Sequence, residues 1–166
     1  MPKLNLLILV LLLVFTGVPV ANGQNADPGM QSDSDVAKSR AMIREGQDAY
    51  IRENIRLTEA EAEQFWPLYR EYRSDLLPVQ DRYVTLMADY MRQYRTGVLT
   101  NAYAEDMLNS FFDIKNDLLR TRKKYIRKFK RIMPMLKVAR FYQMENKFSA
   151  DVDAQLALLI PLVESS

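Results

Sequence analysis

The stretch Phe65–Tyr90 reads FWPLYREYRSDLLPVQDRYVTLMADY, and the spacing of its apolar residues decides the fold. Phe65, Tyr69, Tyr72, Leu76, Val79, Tyr83, Leu86 and Tyr90 follow one another at alternating steps of four and three. On a helix of about 3.6 residues per turn those steps stack into one continuous apolar seam. Pro67 and Pro78 stand eleven residues apart. At about 100° per residue they lie nearly above one another, opposite the seam, so their bends add and predict a bowed helix with the seam on its concave side. The plainer alternative is a pair of tolerated kinks that fit a long helix around its core.

Working outward, Ala104, Met107, Phe111, Ile114 and Leu118 repeat the rhythm, and Tyr125, Phe129 and Ile132 resume it beyond Thr121. Two such seams predict an antiparallel helical hairpin turned at Gly97. A weaker helix is expected over Val36–Asn54. A fourth starts near Pro134 and runs through Phe141 and Phe148 toward Leu159. Beyond Lys38 the chain has only Gly46 and Gly97 as glycines, and it lacks a long apolar alternation. The expected fold is all-α: four helices, a long bowed antiparallel hairpin and two flanking helices.

Two of the helix starts are near copies. LTEAEAEQF, Leu57–Phe65, and LTNAYAEDM, Leu99–Met107, share Leu, Thr, two alanines and a glutamate at equivalent places. In the first, the Thr58 hydroxyl can accept from the third helical amide while Glu61 reaches back to the Thr58 amide, a reciprocal capping box. In the second, Thr100 keeps its half and Tyr103 replaces the acidic partner. The plain reading is two independently good caps.

The chain opens like an export signal. Met1–Lys3 is basic, Leu4–Val20 is almost wholly apolar, and Ala21-Asn22-Gly23 offers small residues for cleavage before Gln24. The alternative is an uncleaved anchor, since the apolar run is near the lower limit of about 17 residues for a span. Residues 24–38 are polar and turn-rich and read as a flexible lead, leaving 39–166 as a single helical domain. Without cysteine there is no disulfide and no thiol for lipid attachment, so stability must come from packing.

Charge is uneven along the chain. Lys115–Lys147 carries twelve basic residues against Asp117 and Glu145, whereas residues 24–114 hold ten basic and sixteen acidic ones. A helical projection puts Arg122 and Lys128 on the flanks of the Leu118, Tyr125, Phe129 and Ile132 stripe, with Arg120, Lys123, Arg127 and Lys130 behind. Such a face frames an apolar surface for a ligand, or is simply a solvated face whose long stems cover it. Tyr83, Met87, Tyr90 and Met91 are candidates for an adaptable binding surface, the other reading being core packing with hydroxyls at the rim.

Catalytic chemistry has little to stand on. The chain has no histidine, no cysteine, no nucleophile elbow and no glycine-rich phosphate loop, so no enzymatic activity and no cofactor are expected. Zinc is disfavoured because its nitrogen and sulfur ligands are missing. A basic helix suits nucleic acid, but the export signal argues against that partner. Anionic lipid is the better-placed anion.

On Leu57, Thr58, Glu61, Leu99 and Thr100, within an exported, cysteine-free helical chain of this size, the sequence resembles the LTXXQ, or Spy/CpxP, family of periplasmic stress proteins. The likeness runs over roughly Met42–Phe148. The fifth motif residue, usually Gln, is Glu61 in one copy and Tyr103 in the other, and FWPLYREY with ARFYQMENKF looks like a distinct branch. The resemblance implies a curved helical cradle, commonly a homodimer, that binds unfolded or stressed envelope proteins without ATP in the periplasm. The expected client-binding residues are then Tyr83, Met87, Tyr90 and Met91 with Arg122, Lys123, Lys128 and Arg131. The alternative function is regulatory, docking on an envelope stress sensor or on the anionic membrane surface.

Overall fold

The computed structural model describes residues 33–163. The export signal expected over 1–23, the cleavage expected before Gln24 and most of the expected lead lie outside the described residues. Four helices follow in order: α1 (Asp33–Asn54), α2 (Glu59–Thr96), α3 (Asn101–Phe129) and α4 (Met135–Leu159). Among the described residues no strand occurs, and the fold is all-α. Of the lead expected over 24–38, residues 33–38 belong instead to α1, which begins at Asp33. The last helix breaker before it is Gly29, and nothing in the sequence from there to Gly46 interrupts a helix.

Where one domain was expected over 39–166, the chain divides into two compact units. The first holds α1 with the Glu145–Leu159 half of α4, and the second holds Ile55–Met144 with the stretch from Ile160 onward. In the first unit Ile51 is fully buried and the Tyr50 and Phe148 rings lie 6.1 Å apart. Gln47 and Glu145 are buried there together, the Gln47 amide donating to Glu145 Oε1 at 2.9 Å. A shared hydrogen bond lets both polar groups leave water at a tolerable cost.

The second unit is built on the hairpin. Thr58 stands outside α2 in extended conformation, its Oγ1 accepting from the Glu61 amide at 3.3 Å while the Thr58 amide donates to Glu61 Oε2 at 2.7 Å. The capping box is complete. At α3 the Thr100 hydroxyl accepts from the Tyr103 amide at 3.1 Å, and only that half of the device is present. Between the helices Gly97 takes φ 67°, ψ 14°, the left-handed conformation that closes a helix and that side chains with a Cβ resist.

α2 continues without a break through Pro67 and Pro78, both of which face solvent. Phe65, Tyr69, Tyr72 and Leu76 are buried on its other side, so the seam does face the core. Contacts run in opposite directions along the two helices. Tyr103 meets Asp89, Phe111 meets Tyr83, Lys124 meets Asp75, and Phe129 meets Phe65. The hairpin is therefore antiparallel.

The base of the hairpin is closed by the first half of α4. The Phe141 ring is fully buried, 4.8 Å from Phe129, 5.4 Å from Phe65 and 5.8 Å from Tyr72. Rings in such tilted and edge-on arrangements add about 0.5–1.5 kcal/mol per pair beyond the area they bury. α4 is further tied by Lys137 to Glu61 and by the Tyr142 hydroxyl, which donates to the Arg122 carbonyl at 2.9 Å.

Phe141→Ala is expected to lower unfolding stability by about 3–5 kcal/mol in chemical denaturation, because it opens a cavity where three helices meet. Thr58→Ala is expected to cost about 1 kcal/mol and Thr100→Ala no more than that, read as shifts in denaturant midpoint at unchanged slope.

Candidate functional site

The tyrosine and methionine surface expected on α2 is largely spoken for. Tyr90 and Met91 are buried, at 4% and 8% exposure, and the Tyr90 hydroxyl donates to the Pro161 carbonyl at 2.8 Å. Both are packed against the rest of the unit and present little surface. Tyr83 and Met87 are half-buried. The Tyr83 ring lies 6.2 Å from Phe111 of α3, with the Lys115 ammonium 4.5 Å above its face. That cation is held by the negative face of the ring system, and Phe111 lies within 5.3 Å of it as well.

The basic residues of α3 also divide. Lys128 is paired with Glu71 at 2.6 Å and Lys124 with Asp75 at 2.8 Å, one helical turn apart on both helices. Tyr125 lies between them, buried, its hydroxyl 2.8 Å from Asp75 Oδ2 and 3.2 Å from Glu71 Oε1. Further along, Arg82 of α2 meets Asp117 at 2.7 Å, and Arg120 reaches the same carboxylate at 3.4 Å. Of the four cations expected to frame a ligand, Lys128 is engaged across the hairpin and Arg122 is half-buried on the side that receives Tyr142. Lys123 and Arg131 stand exposed.

These pairings set the local electrostatics. The Lys128 ammonium holds the Glu71 carboxyl below its ordinary range, and Lys124 with the Tyr125 hydroxyl does the same to Asp75. Arg82 lowers Asp117, and Lys137 with the Thr58 amide lowers Glu61. Burial, followed by the bond to Asp75, pushes the Tyr125 phenol upward. Tyr103 is also raised, by burial first and then by Asp89, toward which its hydroxyl points at 3.4 Å.

A different surface emerges on α3. Leu108, Phe112 and Leu119 are 51%, 60% and 50% exposed. Their steps of four and seven place them within about 40° of one another, beside the packed seam. Ile126 extends the line as a half-buried residue. Phe112 leans edge-on against Phe111 at 5.3 Å, which in turn meets Tyr83, so Tyr83 is joined to this stripe through one intervening ring. Charges border it unevenly. Glu105 lies along its first half, Lys115 falls between Phe112 and Leu119, and Lys123 and Lys130 lie along its second half. The signal was present in the sequence, since α3 holds more large apolar residues than one seam uses. Three exposed apolar side chains in a row on a regular helix form a contact surface for something apolar.

Among the described residues, no three His, Cys, Asp or Glu side chains come together to hold a metal ion, and no helix is long and apolar enough to cross a membrane. Comparison with models of known families, with curated proteins and with solved structures gave no match.

The lowered carboxylates fix a pH dependence. Groups whose folded pKa lies below the unfolded value stabilise the fold above the ordinary carboxylate range and lose that contribution as pH falls through the folded pKa. The urea midpoint is therefore expected to hold from pH 7 to 5 and to decline in acid below the ordinary glutamate value of 4.5. Glu71→Gln with Asp75→Asn is expected to lower the midpoint at pH 7 and to flatten its acid decline.

Proposed function

We propose that the chain is an ATP-independent, chaperone-like binding protein of the periplasm. It takes exposed apolar segments of non-native envelope proteins along the Leu108, Phe112 and Leu119 stripe of α3. The observation that carries this reading is the stripe itself, because unpartnered large apolar side chains on one helical face are costly in water and favour contact with other apolar chains. A row of leucine and phenylalanine with no enclosing pocket selects for apolarity over shape, which suits clients of many sequences. The bordering charges add steering. Acidic flanks of a client meet Lys123 and Lys130 on one half of the stripe, and basic flanks meet Glu105 on the other.

The protein at stoichiometric amounts is expected to slow aggregation of a chemically unfolded client in the absence of nucleotide. Leu108→Ser, Phe112→Ser and Leu119→Ser together are expected to abolish most of that protection while leaving far-ultraviolet circular dichroism unchanged. Raising ionic strength should slow capture without ending it, since screening weakens the charged border and leaves apolar contact. Absence of protection for every one of several clients, or full protection by the triple variant, overturns the proposal.

A further inference from the structure

The corner where α3 hands over to α4 has a composition that the client-binding reading uses only at its edge. From Leu118 to Met144 the chain carries ten basic residues and no acidic one. Four of those cations are committed within the unit, Arg120 to Asp117, Lys124 to Asp75, Lys128 to Glu71 and Lys137 to Glu61. Arg127, Lys130 and Arg131 remain exposed around the corner. Beyond them, in the first turn of α4, Met135 and Leu136 are 56% and 86% exposed. Two large apolar side chains thus project from a rim of cations at the end of the hairpin.

The turn that presents them is well fixed. The amides of Arg131, Ile132 and Met133 donate to carbonyls of Lys128 and Phe129, and the Pro134 carbonyl receives the amides of Lys137 and Val138. Met133 and Val138 are buried on either side, while Leu136 in the first turn of α4 stands in solvent. The carboxylates nearest in sequence to the Lys137 partner, Glu59 and Glu63, are each two residues from Glu61 and so turned about 200° around α2, away from α4.

The geometry points to a docking site for an anionic bilayer surface, with Met135 and Leu136 entering the interface and Arg127, Lys130 and Arg131 meeting lipid phosphates. Apolar side chains at a tip favour the headgroup and acyl boundary, and each nearby cation adds attraction to a negatively charged leaflet. A soluble polyanion would use the cations and find no role for the apolar pair. The apolar pair of Met135 and Leu136 is separate from the α3 stripe, and Lys130 borders both surfaces.

The chain has no cysteine, so Leu136→Cys gives a single attachment point for an environment-sensitive fluorophore. Emission is expected to shift to the blue with vesicles of phosphatidylglycerol in phosphatidylcholine, to stay unchanged with phosphatidylcholine alone, and to revert at high salt. In a vesicle co-sedimentation assay with unlabelled protein, Lys130→Gln with Arg131→Gln is expected to weaken partitioning about thirtyfold. Leu136→Asp is expected to weaken it about tenfold or more at unchanged helicity. The triple serine variant of the α3 stripe should keep vesicle binding, which separates this site from client capture. Equal binding to uncharged vesicles, no binding to anionic ones, or anionic binding that Leu136→Asp leaves intact overturns the inference. In the last case tight binding of double-stranded DNA would identify a polyanion surface instead.

Discussion

The contact between the Phe129 and Phe141 rings, 4.8 Å apart, is the constraint on which the larger unit rests. α2 and α3 can zip along their seams by themselves, but a two-helix hairpin leaves one side of each seam in water. Phe141 covers that side, and it does so among Phe65, Tyr69 and Tyr72, whose hydrocarbon faces are fully or almost fully withdrawn from solvent. In a chain without cysteine this ring cluster takes the part that a disulfide plays in many small domains. The ion pairs outside it, such as Lys124 with Asp75, add register more than stability, because they are half in solvent.

The two Leu-Thr helix starts differ at their fifth residue, and each residue there has its own partner in the packing. Glu61 completes its own cap and also receives Lys137 from α4. Tyr103, at the equivalent place in α3, gives up the cap and points its hydroxyl to Asp89 of α2. In both copies the third helical residue is where a helix start is fastened to a neighbouring helix. A carboxylate serves where the neighbour brings a lysine, and a phenol serves where it brings an aspartate.

The seams, the hairpin, its turn at Gly97 and both caps were legible in the sequence, because each is written in local spacing or in a residue type with one conformational use. The candidate surface was less so. Tyr90 and Met91 have the amphipathic character of a binding face, yet whether a seam residue is covered depends on what lies opposite, and for Tyr90 that includes Pro161, seventy-one residues later. Lys128 was visible as a cation, but its partner Glu71 is fixed by the register of the hairpin, which spacing alone leaves free to slide. Leu108, Phe112 and Leu119 were hidden among other apolar residues of α3 until the packed side was known. The division of α4 between two units carries no local mark, since the helix continues through Met144 and Glu145 without a breaker.

Because a single carboxylate, that of Glu61, serves both the Thr58 amide and the Lys137 ammonium, the fraying of α2 and the lifting of α4 are parts of one motion. Helix ends ordinarily open one residue at a time with little energetic consequence elsewhere. Here opening the first turn of α2 releases the Lys137 tie to α4, and lifting the start of α4 removes a partner of the carboxylate that caps α2. Amide protons at the two starts should then exchange with solvent through a common opening event, which makes the base of the hairpin a cooperative unit and leaves the tip near Gly97 to breathe by itself.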